Sequence, residues 1–197
     1  MSNIILRDQG DSVAIPQSGM ELSEYTPGKT KIRSILQWNA AVDLDVHAFY
    51  RPKNGRKDGH VSFANKGSNK KFPFVRLDKD MGVGNVGGNN QEIITISTLK
   101  DIECVLIATN IFRIFGFLAA DDNFAKYDGN IKIVTGTSNE IEVPLISEKL
   151  GRWCVIALID NSDPYSPIVT NINKVTAREP RIDDYIDDDV LEITYQK

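Results

Sequence analysis

Apolar and polar residues alternate through much of this chain, in short runs. Leu44, Val46, Ala48 and Tyr50 alternate with Asp43, Asp45, His47 and Phe49. That is the period of a β-strand, whose successive side chains point to opposite faces. Residues 31–38 alternate in part, like a strand with one wet face. Residues 103–112 are almost continuously apolar, which predicts a central strand covered on both sides. Further strands are predicted over 4–6 and 12–15, flanking a turn at Gly10-Asp11, and over 93–96, 130–135, 140–145, 153–159 and 168–175. Turn residues separate the runs at Asn54-Gly55, Asp128-Gly129-Asn130 and Asn161-Ser162-Asp163-Pro164. Short strands spaced about ten residues apart predict an all-β fold, a β-sandwich of two mostly antiparallel sheets. No long stretch keeps a helical period, so only short helical turns are expected, near 97–102, 121–126 and 147–150. Residues 178–189 read as a polar linker before a last strand over 190–195. The expected division is a sandwich domain over 1–177 and an acidic C-terminal tail over 178–197.

Composition changes this picture little. The 197 residues are 41% hydrophobic and 25% charged, ordinary for one globular domain with a sizeable core. No apolar run reaches the roughly 18 residues needed to span a bilayer, and the N-terminus has no basic start followed by an apolar core. A cytoplasmic protein is the expectation. Cys104 and Cys154 both lie in apolar runs and are too few for a disulfide framework or a zinc site, so buried thiols are expected. Charge is unevenly spread. Residues 179–197 hold seven acids and two bases, a net of −5, which leaves +1 for the rest of a chain whose total is −4. Nine Lys or Arg and only two Asp lie between Arg51 and Lys79, which suggests an anionic partner.

The candidate chemistry lies in two places. On a strand, Asp43 and Asp45 share a face roughly 6.6 Å apart, with Leu44 and Val46 turned to the core. Two such carboxylates repel, and a divalent cation would relieve the repulsion. Farther on, Asp78-Lys79-Asp80 opens a glycine- and asparagine-rich loop (Gly82, Gly84, Asn85, Gly87, Gly88, Asn89, Asn90) that closes on Glu92. Its side chains are hard oxygen donors, and its glycines let backbone carbonyls turn inward. The loop is neither an EF-hand nor a phosphate-binding loop, because the glycines and the Lys-Ser/Thr of those motifs are out of place. Calcium held by Asp43, Asp45, Asp78, Asp80, Asn85, Asn89, Asn90 and Glu92 is the expected ligand chemistry.

These two segments resemble the TerD family of tellurium-resistance and stress-response proteins. In that family an N-terminal hairpin and a Gly-Trp-Asp strand precede a D-L-D-x-x-A-F strand, an I-x-F-x-N strand and an acidic glycine loop. Here Gln37-Trp38-Asn39, Asp43-Leu44-Asp45-Val46-His47-Ala48-Phe49, Val61-Ser62-Phe63-Ala64-Asn65 and residues 78–92 occupy those places. Gly55-Arg56-Lys57 and Cys154-Val155-Ile156-Ala157-Leu158-Ile159 are closer to a TerA-like branch. The resemblance covers about residues 4–175. It implies a sandwich with calcium at one edge, carried over to Asp43, Asp45, Asp80 and Glu92, with Asp78 added from the TerA-like loops. It also implies a non-catalytic interaction module of a bacterial or phage-related stress system. The implied partners are other proteins of a stress-response complex, or an anionic membrane surface met by the basic loop 51–79 from the cytoplasmic side. Nucleic acid is not among the expected partners. Asn85, Asn89, Asn90 and Gln91 replace acids of the family loop, so one or two ions should be held, with weaker binding or with one ion where relatives hold two.

Other side chains add less. His47 shares the face of Asp45 and reads as a rim or packing residue, since calcium prefers oxygen. His60 lies in a polar loop. Trp38 and Trp153 are expected in the core. Residues 111–124, with Phe112, Phe115, Phe117 and Phe124, read as a capped sandwich edge. No Ser, Cys or His stands in a nucleophile motif. Two other classes stay open: a divalent-metal-dependent phosphoesterase, and a structural or assembly protein that uses the same sandwich.

Overall fold

The computed structural model describes residues 3–15, 26, 31–112, 123–135 and 140–186. Among the described residues, twelve strands form two six-stranded sheets. The first runs β1 (Asn3–Ile5), β10 (Glu140–Pro144), β9 (Asn130–Thr135), β3 (Ile32–Trp38), β7 (Asn90–Ile96), β6 (Val75–Lys79). The second runs β2 (Ser12–Ala14), β12 (Ile168–Thr176), β11 (Trp153–Asp160), β8 (Ile102–Phe112), β4 (Asp43–Pro52), β5 (Gly59–Val61). Every pairing is antiparallel except that of β1 with β10. The all-β sandwich read from the alternation is the fold.

The period of two explains the layers. Leu44, Val46, Ala48 and Tyr50 of β4 join Ile32 and Leu36 of β3, Ile94 and Ile96 of β7 and Val105 and Ile107 of β8 between the sheets. Strand β8 is buried on both sides, as its unbroken apolar run requires. Its Cys104, Leu106 and Ala108 face outward into a second cluster with Phe49, Trp153, Val155, Leu158 and Ile172. Cys104 and Cys154 are buried free thiols.

Several local readings need correction. The two N-terminal runs do not pair with each other, since β1 joins the first sheet and β2 the second. Only Val61 of the run 61–65 is in a strand, because Ser62 and Asn65 close a turn on each other. Strand β6 carries only Val75 and Leu77 as buried apolar residues, too short a signal to stand out in sequence. Neither 97–102 nor 147–150 is helical, whereas Ala125–Tyr127 and Ile182–Tyr185 form single 3₁₀ turns. The segment read as a polar linker is docked up to residue 186, with Ile182 and Tyr185 buried in the second cluster. Phe112 is exposed and Phe124 fully buried, while Phe115, Phe117 and the predicted strand 190–195 lie outside the described residues.

Candidate metal centre

Strand β5 pairs with β4 only at Ala48, Phe49 and Tyr50. Earlier in β4 no named strand pairs with this edge, and Asp43 is bridged to Val83 of the loop instead. The hairpin of β6 and β7, from the opposite sheet, covers that edge. Lys79 pairs with Ile93, so Asp80 and Glu92 flank the mouth of the hairpin. The Val46 amide, which no strand takes, donates to Glu92 Oε2 at 2.7 Å, and the Met81 amide donates to Glu92 Oε1 at 3.1 Å. Glu92 thus lies in a strand rather than in the loop, nearly inaccessible at 1% exposure.

This geometry brings together ligand atoms of Asp45, Asp80 and Glu92 that all lie within 4.8 Å of one another. Asp45 is buried like Glu92, and Asp80 is exposed. Asp43 joins Asp45, Asp80, Gly82, Phe63 and Phe112 around a cleft of about 170 Å³ above them. One carboxylate oxygen of Asp43 is buried without a hydrogen-bond partner. Lys66 lies beside the cluster, with Nζ 3.7 Å from Asp80 Oδ2.

Crowded carboxylates out of water hold their protons. Burial, then Asp43 and Asp80, push Asp45 up to about 7. Burial pushes Glu92 up to about 8; its two backbone hydrogen bonds oppose this, and Asp45 and Asp80 add to it. Burial and then Asp80 raise Asp43. At neutral pH the cluster therefore shares protons.

The other candidate ligands are placed elsewhere. Asp78 sits at a register shift in β6 and pairs with Arg76 at 3.3 Å. Asn85 and Asn89 are exposed on the loop. Asn90 is buried and holds the loop shut. Its Oδ1 accepts from the Asn85 amide at 2.9 Å, and its Nδ2 donates to the carbonyls of Asn85 at 2.7 Å and Trp38 at 3.0 Å. The loop then folds back so tightly that a Cβ on Gly84 would lie 2.4 Å from Trp38 Nε1. Gly82, on the cleft, has φ of +69°, a conformation that favours glycine. Asn90, one of the asparagines that replace acids, thus serves the loop's own shape.

One constellation escapes a sequence reading. His47 Nδ1 lies 2.9 Å from His60 Nε2, and His60 Nδ1 lies 3.7 Å from Glu179 Oε1. Burial and then His60 push His47 down to about 4, with Asn110 opposing, and burial lowers His60 against the pull of Glu179. Both rings are neutral at pH 7, and Phe49 stacks on His60 with centroids 4.0 Å apart. The pairing joins residues from different strands, so no spacing signals it. It packs His47 as expected and gives His60 a partner.

The sequence matches no family model and no curated protein. Solved structures do match. One is the protein of unknown function SAV2460, with a TM-score of 0.55 and 14% identity, covering 78% of this chain and 93% of that one. Another is SCO6318 from Streptomyces coelicolor A3(2), a homologue of the telluride resistance protein TerD. Its TM-score is 0.52 at 14% identity, over 77% of this chain and 94% of that one. At that identity the likeness is one of architecture, and the chain has the TerD-like sandwich fold.

Proposed function

We propose that the chain is a calcium-binding, non-catalytic interaction module of a bacterial or phage-related stress or tellurium-resistance system. The observation that carries this reading is the convergence of Asp45, Asp80 and Glu92 within 4.8 Å from two different sheets. The donors are all hard oxygens, and the loop beside them is rich in glycine. That favours the irregular, many-oxygen coordination of calcium over the strict octahedron of magnesium. Asp45 and Glu92 would hold the ion from the buried side and Asp80 from the loop, with Asp43 and its unpartnered oxygen at the rim. Weak binding of a single ion follows from three features: Asn90 is spent on the backbone, Lys66 competes for Asp80, and protons compete for Asp45 and Glu92.

The role of a bound ion would be conformational. It would tie the β4 edge to a loop that exposes Met81, Val83 and Val86. The partner would be another protein of a stress-response complex or an anionic membrane surface. Lys53, Lys57, Lys70 and Lys71, exposed or nearly so, offer it positive charge. Thermal melts of chelator-stripped protein with and without calcium test the site. Calcium should raise the Tm of the wild type, since it binds the native state, and leave Asp80→Asn unmoved. An equal shift in both would remove these residues from the site. Turnover of a phosphodiester with manganese, abolished by Asp45→Asn, would replace this reading with a phosphoesterase.

A further inference from the structure

Beside the carboxylate cleft, and sharing Phe63 and Phe112 with it, lies a second cavity of about 350 Å³. That is room for a small organic molecule. His47 and Asn110, 2% and 6% exposed, stand at its base with Trp153. Phe63 and Phe112 stand at its mouth, edge to face with centroids 6.2 Å apart. Being 47% and 37% exposed, their rings have room to turn and admit a ligand. Two buried atoms of this lining, His47 Nε2 and Asn110 Oδ1, have no hydrogen-bond partner. Buried polar atoms seldom stay so. The proton positions along the histidine pair define what is missing. The Glu179 carboxylate can only accept, and at 3.7 Å from His60 Nδ1 it favours the proton of the neutral ring there. His60 Nε2 then accepts from His47 Nδ1 at 2.9 Å, which leaves His47 Nε2 a free lone pair. Asn110 Oδ1 is an acceptor too. Two acceptors cannot satisfy each other, so both want a donor from outside.

We propose that this cavity binds a small aromatic carboxylate that also carries a hydroxyl or N–H donor. The donor goes to His47 Nε2 and Asn110 Oδ1, the two acceptors without one. The ring lies among Trp153, Phe63 and Phe112, whose faces and edges suit another aromatic. The carboxylate goes to Arg152, which lines the same cavity and makes no ion pair among the described residues. Glu179 fixes the direction. It lines the cavity beside His60 and repels a ligand carboxylate from that end. The floor thus selects the donor, the walls select the ring and Arg152 selects the acid. The inference does not rest on the cation site, since none of His47, Asn110 and Arg152 is among the residues placed around the ion.

The test uses full-length protein stripped of divalent cations, so that the carboxylate cleft plays no part. The probes are meta- and para-hydroxyphenylacetate, which combine a phenol donor, a ring and an acid. Tryptophan fluorescence follows binding, because Trp153 packs on His47 with ring centroids 4.6 Å apart. At least one isomer should bind. Its methoxy counterpart keeps the ring and the acid but has no donor, and should bind at least about tenfold more weakly. Arg152→Met, at a partly exposed position that leaves the core untouched, should weaken the hydroxy acid by about tenfold and leave the uncharged cresol unchanged. Nitrogen NMR of the histidine rings should place the proton of free His47 on Nδ1, and the bound phenol should shift the Nε2 signal. Failure of both isomers to bind would overturn the proposal. So would equal binding of the methoxy acid, binding indifferent to Arg152→Met, or a proton already on His47 Nε2 in the free protein.

Discussion

The outer face of β4 ends in two different ways. At its start, Asp43 and Asp45 meet Asp80 and Glu92, and negative charge gathers beside Lys66. At its finish, Phe49 and Arg51 meet the chain's own segment, which brings Ile182 for the apolar surface and Asp183 for the guanidinium. The same alternation that faces the inner side of β4 with Leu44, Val46, Ala48 and Tyr50 produces both ends. One end is completed from within the molecule. The other is short of positive charge, which protons or a cation must supply.

The largest effect expected separates the two faces of β4. Val46→Asp puts an unpaired charge between the sheets and should cost more than about 4 kcal/mol in urea denaturation. Asp45→Asn, one residue away, should do the reverse. In cation-free protein at pH 8 it should stabilise by about 1 kcal/mol, because it removes a buried charge that its neighbours repel. A loss of stability there would show that the carboxylates are not in conflict. Between these in size, Ile182→Ala with Tyr185→Ala should cost about 3 kcal/mol, read by the same denaturation. No cost would mean that the segment merely rests on the sheet.

A further effect lies in the pH dependence. The folded-state values of Asp45 and Glu92, about 7 and 8, lie above the ordinary carboxylate values near 4. Between those limits the folded chain binds more protons than the unfolded one, so stability falls as pH rises. His47 acts oppositely, since its value of about 4 lies below the ordinary 6.5; its contribution is complete above 6.5 and is lost toward 4. From pH 6.5 to 8 only the carboxylates count. The Tm of cation-free protein should fall there by roughly 5 °C. Saturating calcium should remove the fall.

Much of this arrangement is legible in the sequence. The i, i+2 spacing of Asp43 and Asp45 puts them on one face, and the reversal between Asp80 and Glu92 returns the chain to the same edge. Periodicity stops where contacts become long-range. Ile182 and Tyr185 are two anchors in an acidic run, too sparse for any period, and only the tertiary fold shows what they cover. Asn90 reads as an oxygen donor, yet its amide serves the loop backbone, a choice set by the close approach of Trp38 and Asn85. The contact of His47 with His60 depends on which strands become neighbours.

We propose that Asp45, Asp80 and Glu92 take a divalent cation in exchange for protons. Calorimetric titration of calcium into chelator-stripped protein at pH 7, in two buffers of different ionisation enthalpy, counts those protons directly. Weak binding near one site is expected, with about one proton released per ion, and loss of both signals in Glu92→Gln. Binding that releases no protons, or that Glu92→Gln leaves intact, would contradict it.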